Sequence, residues 1–145
     1  MRLAAALAGA ALAGASCVAA ADTIPEPIAL LQGLDKTTAR ISQFEAPVGT
    51  QVRFGDLSII VRDCEQNSPE EQPENAAFVE IYETRPGEPK ARVFSGWMFS
   101  SSPALSALEH PIYDVNVLEC KAAPPPPPLP AAPPPAPNPP SKTLR

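Results

Sequence analysis

His110 is the only imidazole in this chain of 145 residues. Nucleophilic hydrolysis would need it beside a serine such as Ser95, Ser100, Ser101 or Ser102, and beside an acid such as Asp114. The base must take the hydroxyl proton while a carboxylate orients its ring. No Gly-x-Ser-x-Gly elbow raises a nucleophile into reach. Glu109-His110-Pro111 reads instead as the end of a helix, because the residue before a proline is pushed out of helical backbone. His110 is therefore read as a structural or partner-contacting residue.

Metal and carboxylate chemistry find little more. Three cysteines and one histidine fall short of a transition-metal site. Glu65, Glu70, Glu71 and Glu74 lack the Asp/Asn spacing and the turn glycine of a calcium loop, and read as a solvated loop. Glu80, Glu83 and Glu109 would have to sit at a fixed separation to cleave a glycosidic bond, and their spacing sets none. They read as solvent-facing. No catalytic, cofactor-binding or metal-ligating residue is assigned, and no cofactor is expected.

The aromatic residues offer a different chemistry. Phe94, Trp97, Phe99 and Tyr113, with Met98, are the expected core of a domain with so few rings. Aromatic side chains also anchor interfaces, so Trp97, Phe99, His110 and Tyr113 are the candidate partner contacts. The charge balance limits what the partner is. The chain carries a net charge of −5. Residues 38–120 hold 13 acidic against 6 basic side chains, a net of −7. Nucleic acid and anionic lipid surfaces both need a basic stripe, and none exists.

The N-terminus reads as an export signal. Arg2 supplies a positive charge, residues 3–15 are apolar and free of acids, and Ala19-Ala20-Ala21 fits small-residue cleavage before Asp22. Such a run is too short to stay in a bilayer as an anchor. The mature chain is expected in the periplasm without a transmembrane segment. A lipoprotein linked through Cys17 is the minor alternative. Cleavage leaves Cys64 and Cys120, and an even count in an exported chain reads as a disulfide.

Short apolar runs between turn residues then predict an all-β domain. Val52 and Phe54, then Leu57, Ile59 and Val61, form a hairpin about Gly55-Asp56. Val79 and Ile81 share a face, and residues 92–99 are apolar on both faces, as in a central strand. Ser102 and Pro103 read as the N-cap and first position of a short helix through Glu109. Tyr113, Val115 and Val117 share a face of the last strand. Strict alternation places Cys64 and Cys120 opposite their neighbouring apolar residues, hence in one class of face. Residues 122–145 contain 12 prolines between Pro124 and Pro140, a composition that favours polyproline II and cannot pack a core.

The segments Val52-Arg53-Phe54-Gly55-Asp56-Leu57-Ser58-Ile59, Arg62-Asp63-Cys64 and Ala77-Phe78-Val79-Glu80-Ile81 resemble the bacterial domain-of-unknown-function family 2155. So does the long run from Val93 through Trp97, Ser102, Pro103 and His110 to Val117, with Cys120 beyond it. The resemblance spans about Leu34 to Cys120 and implies an exported envelope protein. It supplies no reaction, ligand or catalytic residue. It also hints at an association with respiratory complex I. The expected organisation is a signal peptide (1–21), a leader (22–37), a compact β domain (38–121) and a disordered proline-rich tail (122–145). The expected fold is a small sandwich or partly closed barrel of six or seven strands, with one short helix and one disulfide. The expected role is non-enzymatic: an envelope adaptor, or an accessory subunit of an inner-membrane complex such as complex I. A small periplasmic enzyme or an envelope-polymer binding module is the competing reading.

Overall fold

The structure is a computed structural model that describes residues 22–125. The segment expected to be a signal peptide, with Cys17, and nearly all of the proline-rich residues lie outside the described residues. The elements are β1 (Thr23–Pro25), β2 (Ile28–Asp35), β3 (Arg40–Pro47), β4 (Gln51–Phe54), β5 (Leu57–Asn67), β6 (Asn75–Glu83), β7 (Ala91–Phe99), a 3-10 turn (Pro103–Leu105) and β8 (Tyr113–Lys121). The domain is all-β and two-layered.

The larger sheet runs β1-β5-β6-β7, with β4 also paired to β5. β5 is long enough to hold β6 along one side and both β4 and β1 along the other. The smaller sheet has the order β3-β2-β8. The expected hairpin is present: Phe54 pairs with Leu57 across Gly55-Asp56, and Gly55 takes the positive φ that glycine adopts without a Cβ penalty. Leu57, Ile59, Val61, Val79, Ile81, Val115 and Val117 are buried between the layers.

Four features differ from the sequence reading. Residues 22–37 are not a leader. Residues 28–31 open β2, the central strand of the smaller sheet, where Ala29 and Leu31 are fully buried. A four-residue apolar run is ambiguous between helix and strand, and the third inward position is occupied by Gly33, which has no apolar side chain to show. The strand count rises to eight as a result.

β7 is not central. It ends the larger sheet and pairs only with β6. Met98 lies on the core face, paired with Ala77, while Trp97 faces outward, paired with Phe78. Both faces are apolar because the outer one is covered by its own rings.

The helix shrinks to one 3-10 turn without a side-chain cap from Ser102. Ser100 and Ser101, just before it, donate to Glu74.

The alternation argument for the cysteines fails on each strand. Pairing with β6 shifts between Val61 and Asp63, and pairing of β8 with β2 shifts between Glu119 and Val117. Each bulge inserts one residue and turns the following side chains to the other face. Cys64 and Cys120 thus join the core beside Val61 and Val117. Two reversals cancel, so the expectation of a shared face survives. The Cys64–Cys120 disulfide ties β5 to β8, with Cα atoms 5.6 Å apart.

Candidate functional site

The sequence-predicted residues separate into three places. His110 is buried and Tyr113 half-buried, at one end of the sandwich. His110 Nδ1 accepts hydrogen bonds from the backbone N–H groups of Ile112 (3.2 Å) and Tyr113 (3.1 Å). Two donors on Nδ1 assign the ring proton to Nε2. Nε2 sits 3.1 Å from Glu83 Oε1, close in distance but poorly aligned for a hydrogen bond. The ring stacks on Tyr113 at 5.3 Å between centroids, and the His110 carbonyl accepts from Lys36 Nζ at 2.8 Å.

Glu83 reaches this point because it continues the inward alternation of Ala77, Val79 and Ile81. Its other oxygen meets Arg85 Nη2 at 3.0 Å. The Arg85 hydrogen bond holds the Glu83 carboxyl below its ordinary range; burial opposes this and the His110 contact adds to it. Glu80, three residues earlier, points outward to Arg62 at 2.8 Å. Glu80 and Glu83 are therefore on opposite faces of β6 and do not form a carboxylate pair. The expectation that Glu83 faces solvent is corrected, since residue parity with Ile81 turns it inward.

A line of rings continues from His110. Tyr113 meets Phe54 edge-on at 5.6 Å, and Phe54 stacks with Phe44 at 5.5 Å. Phe54 lies on Gly33, where a Cβ would come within 2.6 Å of the ring.

The serines are at the other end. Glu74 Oε1 accepts from Ser100 Oγ at 3.0 Å and from the Ser101 backbone N–H at 3.1 Å, and its second oxygen accepts from Ser101 Oγ. Burial acts to raise the Glu74 pKa, but the Ser101 and Ser100 hydrogen bonds outweigh it and hold the carboxyl low. Glu74 anchors the turn after β7 through Ser100 and Ser101. Ser100 and Ser101 lie beside the start of β6, while His110 lies beside its end. The eight steps of that strand cover about 26 Å. Ser95 pairs with Glu80 on the outer face. The structure brings none of these serines to His110.

Trp97 and Phe99 occupy the third place, the outer face of the larger sheet. Trp97 is 37% exposed and meets Phe78 edge-on, with centroids 5.7 Å apart. Phe99, two residues on, pairs with Ala76 and is half-buried. Beyond Phe78 the face turns polar. Arg62 and Tyr82 both donate to Glu80, and Lys90 lies over the Tyr82 ring at 4.7 Å. The result is a short aromatic ridge backed by a charge network. Phe78 was not anticipated as a contact residue. Its parity with Glu80, outward along β6, is the signal that would have found it.

Among the described residues, no group of three or more His, Cys, Asp or Glu is placed to hold a metal ion. Among them, too, no helix is long and apolar enough to cross a membrane.

Residues 29–120, from the second residue of β2 to the disulfide, match the family described as an uncharacterized protein conserved in bacteria. The match starts earlier than the sequence resemblance suggested and takes in the central strand of the smaller sheet. An uncharacterized protein of Rickettsia prowazekii (strain Madrid E) is 33% identical over 87 residues, covering 60% of this chain and 56% of that protein. The chain thus spans little more than half the length of that relative. No solved structure matches the chain. On the extent of the family match, which takes in seven of the eight strands almost whole, the chain belongs to the bacterial family DUF2155.

Proposed function

We propose that this is an exported, non-enzymatic periplasmic protein that acts by protein–protein contact. It serves as an envelope adaptor or as an accessory subunit of an inner-membrane complex such as respiratory complex I. The observation that carries the reading is the Trp97–Phe78 ridge on the outer face of the larger sheet, an aromatic pair in which Trp97 is exposed and Phe78 half-buried. Rings of this kind supply large contact area at low entropic cost and dominate interface energetics.

Two further features support it. The single histidine is committed to backbone donors and to Glu83, which leaves it poorly placed as a general base. The buried disulfide fits an oxidising compartment, as the export signal in the sequence does. Reversible crosslinking in an envelope fraction, followed by solubilisation and capture of the chain, tests the proposal. Discrete partners in fixed stoichiometry are expected. A chain recovered only with itself would overturn it.

A further inference from the structure

The ridge and the root of the proline-rich segment occupy the same end of the domain. The chain leaves β8 at Lys121. Cys120, just before it, donates its backbone N–H to Asn75 Oδ1 at 2.9 Å, and its sulfur lies 3.6 Å from the Ala76 carbonyl. Ala76 pairs with Phe99, and two residues along the same strands Phe78 pairs with Trp97. From this root the sequence continues into Pro124–Pro140 with 12 prolines. At ~3.1 Å per residue a polyproline run of that length would reach about 50 Å, several times the ~10 Å spacing between packed sheets. β7 is the last strand of the sheet, so only one edge has to be passed.

The chemistry agrees. Polyproline segments dock on exposed aromatic rings, which pack against the flat pyrrolidine faces at small entropic cost. Residues 122–145 contain Lys142 and Arg145 and no Asp or Glu, whereas residues 38–120 carry a net charge of −7. Attraction between them favours return of the segment onto its own domain.

We propose that the aromatic ridge of Trp97, Phe78 and Phe99 binds the proline-rich segment of the same chain. The proposal rests on the contact reading for the importance of this face. Its test reads the isolated protein alone, so its failure leaves partner capture standing, and the absence of partners leaves it standing.

Trp97 is the only tryptophan, so its fluorescence reports the ridge directly. The full chain is compared with a full-length variant in which all 12 prolines from Pro124 to Pro140 are serine. Equal melting temperatures check that the fold is intact. Covering one side of the indole about halves its access to solvent, so acrylamide quenching should rise about twofold in the variant, with a red shift of emission. The difference should not depend on protein concentration. Equal quenching in the two proteins would overturn the proposal. Shielding that appears only as concentration rises would also overturn it, because the segment would then come from a second copy.

Discussion

His110 and Glu83 meet between the two sheets, with Nε2 3.1 Å from Oε1, and neither side chain is more than 9% exposed. The contact joins the loop before β8 to the end of β6. It belongs to the packing of the domain, and its consequences are measurable as stability.

His110→Ala should destabilise the domain by about 2–3 kcal/mol, because the Ile112 and Tyr113 N–H groups lose their acceptor and a cavity opens beside Tyr113. His110→Asn places an oxygen near the position of Nδ1 and should recover part of the loss. His110→Gln, whose amide reaches toward Nε2 instead, should recover less. Urea denaturation of the three variants gives the order, and Gln outperforming Asn would contradict the assignment of Nδ1 as acceptor.

Acid should weaken the fold through Glu83. The Arg85 hydrogen bond first, and the His110 contact after it, hold this carboxyl below its ordinary value of 4.5 against the opposing effect of burial. A depressed carboxylate contributes stability that is complete above the unfolded pKa and is lost as pH falls through the folded one. Stability should therefore decline as pH drops below 4.5. Glu83→Gln should lower stability at neutral pH and flatten the decline below 4.5. Parallel pH profiles for the two proteins would show that Glu83 does not supply this dependence.

Some of this architecture was legible in the sequence, and the failures have physical causes. The β4–β5 hairpin followed from Gly55-Asp56 between alternating runs, since the turn and the strand period agreed. β2 was missed because Gly33 breaks the apolar alternation of Ala29 and Leu31, and the reason for that glycine lies far away in sequence, in the Phe54 ring. Strict alternation ignores bulges and so puts each cysteine on the wrong face of its strand. Arg62 and Leu118 look like any other strand residues, and bulges carry no local mark in side-chain type. Aromatic residues on both faces of β7 mimic a buried central strand. Its outer rings instead shelter one another, which leaves Trp97 on the surface.

Gly33→Ala should cost about 1–3 kcal/mol, since the added methyl would lie within 2.6 Å of the Phe54 ring and the core must give way. In the double variant with Phe54→Ala the glycine substitution should cost much less. Additive losses in this cycle would mean that the two residues do not press on each other.

Breaking the disulfide removes the covalent tie between β5 and β8 across a sequence separation of 56. Cys120→Ser should cost about 2–5 kcal/mol, and it also leaves a buried hydroxyl in place of sulfur. A peptide map without reductant should show Cys64 and Cys120 linked in protein taken from the envelope, and free thiols there would contradict the bridge.

The contact surface itself is tested most directly by site-specific photocrosslinking in living cells. A photoreactive phenylalanine analogue at position 97 keeps a ring on the ridge, and the same analogue at Ile41, 61% exposed on the other sheet, serves as the comparison. The account predicts discrete high-mass adducts from position 97 after illumination and none of the same size from position 41. Identical adducts from both positions, or adducts from position 41 alone, would contradict the claim that the protein works through its Trp97 face.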